Sequence, residues 1–142
     1  MSQELQIIIA LVTTFGIGGI LGAYFKTHFE RTKELKDQEH QLKKTRYGVI
    51  LLLMLAKLDP KDGLEKAKAF RPDLKSVTDI DKEIKTEYYN AIIFASDNVL
   101  EAMAGFIKTP TYKNYIVTAK AIRKDLWKKG TKISDKVITY FN

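Results

Sequence analysis

The chain of 142 residues contains no cysteine. Disulfide staples and thiolate metal sites are therefore excluded, and cysteine usage says nothing about redox compartment. Histidine is scarce as well. His28 and His40 are the two present, both in a charged stretch, and twelve residues apart they do not share a helical face well enough to chelate a metal. Proline occurs only at Pro60, Pro72 and Pro110, which leaves long intervals free to be helical. The first 25 residues hold no lysine or arginine and a single acid, Glu4. The charge lies further on: residues 26–142 carry +8, from 24 cations and 16 acids.

Constellations for catalysis are missing too. Ser2, Ser76, Ser96 and Ser134 lack a nucleophile-elbow context, and neither histidine is placed to activate them. The glycines at 16, 18, 19 and 22 loosely resemble a phosphate loop but lie inside an apolar run rather than after a strand. Asp59 and Asp62 suit a turn, and Asp79, Asp81 and Glu83 suit the start of a helix. No catalytic, cofactor-binding or metal-ligating residue is singled out, and the chain reads as a non-enzyme.

What is present at the N-terminus is one uncharged run, Leu5 to Phe25, of 21 residues. As a helix it measures about 30 Å, the thickness of a bilayer's hydrocarbon core. An export signal would need a cationic start, a shorter core and a small-residue cleavage site, whereas this run follows "MSQE" and ends in "GAYFKTHF". A retained transmembrane helix over 5–25 is expected. Lys26, Arg31 and Lys33 just beyond it place the N-terminus outside and residues 26–142 in the cytoplasm. Ala10, Thr14, Gly18 and Gly22 recur every four positions, with Gly19 and Ala23 beside them. Such a smooth ridge lets a second helix approach closely, so self-association of the span is expected. Glycine is also simply common in membrane helices.

Residues 26–46 are rich in helix formers and pair Lys33 with Asp37 and Glu39 with Lys43 at i,i+4. They read as a charged helical stalk. Its heptad seam of His28, Leu35, Leu42 and Val49 is too thin for a coiled coil. Residues 47–130 read as a cytoplasmic helical bundle, and 131–142 as a tail that could be strand, short helix or disordered. "YGVILLLMLA" at 47–56 is apolar nearly all round, so it is expected as the central buried helix. "DPKDG" at 59–63 should end it, and Pro72 should push Arg71 out of helical geometry. A long helix is then expected from a cap at Thr78 or Asp79 through a stripe of Ile80, Ile84, Tyr88, Ile92, Ala95, Val99, Met103 and Phe106. Tyr89, Ile93, Leu100 and Ile107 would widen that buried face. Pro110 or Thr111 should open a last helix, with Gly130 as its C-cap. The fold class expected is all-α: an N-terminal transmembrane helix, a stalk and a small bundle.

From Thr109 onward eight cations face only Asp125 and Asp135. Lys120, Arg123, Lys124 and Lys128 form a strip on the last helix, with Tyr112, Tyr115 and Trp127 alongside. Guanidinium forks at Arg123 and Arg71 are the expected direct phosphate ligands. Three uses of such a face stay open: a solvated surface, a nucleotide or nucleic-acid site, or contact with anionic lipid headgroups.

Arg71-Pro72-Asp73-Leu74, Phe94-Ala95-Ser96-Asp97 and Ile122-Arg123-Lys124-Asp125-Leu126-Trp127 resemble the C-terminal helical region of a loose group of small bacterial single-pass membrane proteins. The resemblance covers about half of the chain. It implies one span followed by a helical cytoplasmic domain at the bacterial inner membrane, without an assigned activity or catalytic residues. Asp97, Arg123 and Asp125 are polar members of those matches, and pairing among them would be their simplest use. The function expected is a self-associating inner-membrane protein whose basic domain binds a protein partner or an anionic signal. A membrane effector in a defence-type system, acting by a pore or depolarisation, is one form of it. A passive scaffold that localises another protein is the alternative.

Overall fold

Uninterrupted helix-forming sequence between Gly22 and Gly48, ending before Pro60, yields a single helix. In the computed structural model, which describes residues 18–128 and 132–138, α1 runs over Gly18–Leu58. Every regular element among the described residues is helical. α2 (Pro60–Phe70), α3 (Val77–Ala91), α4 (Asp97–Lys108), α5 (Tyr112–Trp127) and the single turn α6 (Asp135–Ile138) follow. The chain divides into two compact units, residues 1–40 and 41–142.

In the first unit the described part is helix, exposed from Gly22 to Glu39. Tyr24 stacks on His28 with ring centroids 6.2 Å apart, and the Thr32 hydroxyl donates to the His28 carbonyl at 2.8 Å. The expected span 5–25 lies mostly outside the described residues. Among those described, no helix is long and apolar enough to cross a membrane. Ala10 and Thr14 also fall outside, whereas Gly18 and Gly22 are helical. Leu35 of the proposed seam is exposed.

The second unit begins at Gln41, six residues before the expected bundle. It is built around the apolar end of α1. Tyr47, Ile50, Leu53, Met54 and Ala56 from α1 meet Ile80 and Ile84 of α3, Val99, Met103 and Phe106 of α4, and Ile122 of α5. α4 packs on both α3 and α5, and α6 rests on α5. The "DPKDG" segment is less of a loop than expected. Asp59 alone separates α1 from α2, and Pro60 is the first residue of α2, where its missing N–H costs nothing. Gly63 is buried against Ala56 of α1.

The expected single helix from Thr78 to Phe106 is two. It breaks at Ile92–Ser96, where Phe94 N–H bonds to Ala91 O at 3.1 Å and Ala95 N–H bonds to the same oxygen at 2.7 Å. Phe94 turns inward onto Tyr47, with ring centroids 5.5 Å apart, and the break throws Tyr89, Ile92 and Ile93 outward, 68%, 55% and 87% exposed. Those three therefore do not belong to the buried face. The apolar spacing misled because it stays in phase across the turn.

The cap of α3 is Ser76 rather than Thr78 or Asp79. Its hydroxyl accepts from Asp79 N–H at 3.2 Å, and the Asp79 carboxylate accepts from Ser76 N–H at 2.9 Å, a reciprocal capping box. The Ser76 hydroxyl, followed by the Lys75 backbone N–H, holds the Asp79 carboxyl below the usual carboxylate range. A depressed folded pKa stabilises above the unfolded value of about 3.9 and ceases to do so as pH falls through the folded one. Ser76→Ala is accordingly expected to cost about 1 kcal/mol at neutral pH. Urea midpoints followed by circular dichroism should show the gap between variant and wild type narrowing in acid; a pH-independent gap would remove the reciprocal role of Asp79.

Thr111 caps α5 by accepting from Asn114 N–H at 3.3 Å. Asn114 Nδ2 in turn donates to Thr109 O at 2.7 Å and Gly105 O at 3.2 Å, tying the end of α4 to the start of α5. α5 stops at Lys128, a left-handed residue with φ 51°. The expected cap, Gly130, lies outside the described residues.

Candidate functional site

α5 buries Thr118 and Ile122, and this phase sets where its cations project. Lys120, Lys124 and Lys128 stand four residues apart, one above another. α4 runs beside them and offers Asn98, Ala102, Gly105 and the acid Glu101 at the facing positions, so the two helices leave a groove between them. Its larger hollow, about 650 Å³, is lined by Asn98, Glu101, Ala102, Gly105, Asn114, Val117, Lys120, Ala121 and Lys124. The smaller, about 250 Å³, is lined by Lys43, Ser96, Asn98, Ala121, Lys124, Asp125 and Lys128. Asn98, Ala121 and Lys124 belong to both hollows, so the groove is continuous.

Two of its cations are already engaged. Lys120 is paired with Asp135 of α6. Lys43 Nζ lies 3.6 Å from Asp125 Oδ2, which also accepts the Tyr47 hydroxyl at 2.5 Å. Burial first, and then that bond to a carboxylate, push the Tyr47 phenol far above its ordinary range. Lys124 and Lys128 make no ion pair among the described residues and are exposed. They are the cations with charge to offer a ligand, and the Asn98 and Asn114 amides supply neutral donors nearby.

The other expected ligands are elsewhere. Arg71, at the end of α2, donates through Nε and Nη2 to Asp73 at 2.9 and 2.8 Å and through Nη1 to Glu83 at 2.6 Å. These carboxylates hold its guanidinium charged well beyond its ordinary range. The fork closes the α2–α3 turn and is not offered to a phosphate. Arg123 is exposed on α5 but lines neither hollow. Asp125 pairs with Tyr47 and Lys43 instead of Arg123. Tyr112, Tyr115 and Trp127 line neither hollow, and Tyr115 packs against the core, so among the described residues no ring is placed in the groove to stack a base.

Lys43, Ser96, Asn98 and Asn114 were not among the expected site residues. The i,i+4 row on α5 was legible, but α1 and α4 join it through contacts distant in sequence. Elsewhere Glu87 is 3% exposed; Arg46 reaches its Oε1 at 3.2 Å, and its Oε2 has no partner among the described residues. Among those residues no group of three or more His, Asp or Glu is arranged to hold a metal ion. No family model, curated protein or solved structure matches the chain.

Proposed function

We propose that the chain is a single-pass, self-associating membrane protein whose helical domain binds an anionic partner along the α4–α5 groove. The observation that carries this is the pair Lys124 and Lys128, without an ion pair among the described residues: Lys124 borders both hollows and Lys128 the smaller one of about 250 Å³, while the larger also holds two amides and one acid, Glu101. The uncharged run Leu5–Phe25 and the cations after it support the anchor, with the domain on the cytoplasmic side of a bacterial inner membrane. Gly22 has open space where a side chain would stand, which suits the close approach of a second helix. Among the described residues no ring lines the groove, so phosphate or carboxylate recognition fits it better than base stacking. A partner seated there would bias how copies of the chain pack, and effector action on the membrane is one outcome of such a bias.

The test uses the full chain in nanodiscs of neutral lipid, titrated with a short oligonucleotide and with an acidic peptide at several salt concentrations. Lys124→Glu/Lys128→Glu is expected to weaken binding at least tenfold. If oligonucleotide phosphates are the ligand, the slope of log K against log salt should fall by about 1.4 with loss of two contacts. Arg71→Ala and Arg123→Ala should bind as wild type does. Equal binding by wild type and the double variant would reduce the face to a solvated surface, leaving the chain as a passive scaffold.

A further inference from the structure

The break between α3 and α4 leaves apolar surface where a folded domain ordinarily hides it. Tyr89, Ile92 and Ile93 are 68%, 55% and 87% exposed, three large side chains within five residues. Phe94 beside them is anchored inward on Tyr47, so the same turn that fills the core holds the isoleucines out. Ser96, three residues and at most about 10 Å of chain beyond Ile93, lines the hollow that also holds Lys43, Lys124 and Lys128. The acids at this end are largely spent: Asp125 is held by Tyr47 and Lys43, and Glu87 is buried against Arg46. Asp97, which opens α4, and Glu101, which lines the larger hollow with Lys124, are the exposed acids that remain on this part of α4.

We propose that Tyr89, Ile92 and Ile93, together with Lys124 and Lys128, form a docking surface for an anionic lipid bilayer. The apolar turn enters the headgroup region, and the lysines pair with lipid phosphates. An apolar tip with cations nearby is the combination that binds such interfaces. A protein partner would ask for about 800 Å² of matched surface, more than three side chains on one turn present. Lysine is also a compact, hydrated point charge that needs no fixed geometry, which suits a fluid array of phosphates. Each lysine near an anionic surface raises partitioning about fivefold. This contact goes beyond the groove reading and requires neither it nor the span.

Because the chain lacks cysteine, Ile93→Cys carries a single thiol for a polarity-sensitive fluorophore, on a side chain exposed enough to leave the fold intact. The labelled full chain is reconstituted into phosphatidylcholine vesicles and into vesicles about half phosphatidylglycerol. The label should leave water on the anionic vesicles and stay wet on the neutral ones. Adding Lys124→Gln/Lys128→Gln should weaken the anionic partitioning at least tenfold. A label at exposed Glu65 of α2, whose helix packs on Ala56 rather than near Tyr47, should stay in water throughout. Flotation with neutral vesicles reports the Leu5–Phe25 span separately, so loss of that reading leaves this one decidable. An Ile93 label equally wet on both vesicles would overturn the docking surface. So would an equal loss of water on both, the mark of a protein contact.

Discussion

Gly63→Val is expected to cost the helical domain about 3 kcal/mol or more, at the upper end of overpacking penalties. The change looks favourable locally. Gly63 lies inside α2, where glycine is the poorest ordinary residue, worse than alanine by about 0.8–1.0 kcal/mol. Packing opposes that preference and is larger. A Cβ at Gly63 would meet the Cα and N of Ala56 in α1, and backbone atoms cannot move aside as the end of a side chain can. Only Asp59 links the two helices, so α2 has little slack to retreat. Even Gly63→Ala should be destabilising. Gly48→Ala supplies the contrast: Gly48 is exposed within α1 and has nothing near its would-be Cβ, so propensity acts alone and should add up to about 1 kcal/mol. Urea unfolding followed by circular dichroism should shift in opposite directions for the two alanine variants. A shift of the same sign would mean that α2 does not pack through Gly63.

This close approach shows what could and could not be read from the chain. Pro60 and Gly63 are visible as helix breakers, and the expectation of a turn used their ordinary meaning. Their roles in the fold are narrower: the proline starts a helix, and the glycine lets two backbones meet. Neither can be inferred without knowing that Ala56 lies opposite. The all-α class was legible because apolar residues recur with helical period; Ile80 and Ile84, then Val99, Met103 and Phe106, are buried as that period requires. The same period concealed the break at Ile92–Ser96. Ser-x-x-Asp at 76–79 is a legible capping pattern, but it stands further from the apolar stripe than Thr78 and Asp79 do.

The candidate site was half legible for a similar reason. Lys120 and Lys124 lie on one helix and Lys128 is the residue that ends it, so spacing alone places them along one face. Arg71 looked like a phosphate fork because its type suits that role. Its two carboxylates arrive by a turn (Asp73) and from a separate helix (Glu83), and a single-sequence pattern carries no information about either. Lys43 belongs by sequence to the charged stalk, but α1 continues unbroken into the domain and delivers it to the hollow lined by Asp125 and Lys128. Charge type was visible throughout; charge pairing depended on tertiary contacts.

Tyr47 and Asp125 join stability to binding, and substitutions there should move the two in opposite directions. Tyr47 is 1% exposed, and its hydroxyl donates to Asp125 at 2.5 Å; Lys43 approaches the same carboxylate oxygen. A hydrogen bond to a charged group is worth about 1.5–3 kcal/mol, and removing one partner leaves the other under-satisfied. Tyr47→Phe is expected to cost that much while leaving the ring's packing on Phe94 in place. The fold also binds the phenol in its protonated form, with a pKa raised above the ordinary value. Stability from this group is therefore complete below the unfolded pKa of about 10 and is lost as pH rises beyond it toward the folded value. Wild type should lose more stability than Tyr47→Phe between neutral and strongly alkaline pH. Equal losses would separate the phenol from the carboxylate. Asp125→Asn should likewise lower the urea midpoint, because a neutral amide accepts less strongly from Tyr47 and no longer attracts Lys43. In the groove it has the reverse effect: Asp125 is the acid of the hollow formed with Lys43, Lys124 and Lys128, and neutralising it releases one positive charge there. One unit charge a few ångströms away in water is worth about 1 kcal/mol, so anion affinity should rise about fivefold in the same variant that unfolds more easily. Only a site built on those lysines gives that opposed pair of shifts; if affinity falls together with stability, the groove's cations do not hold the ligand.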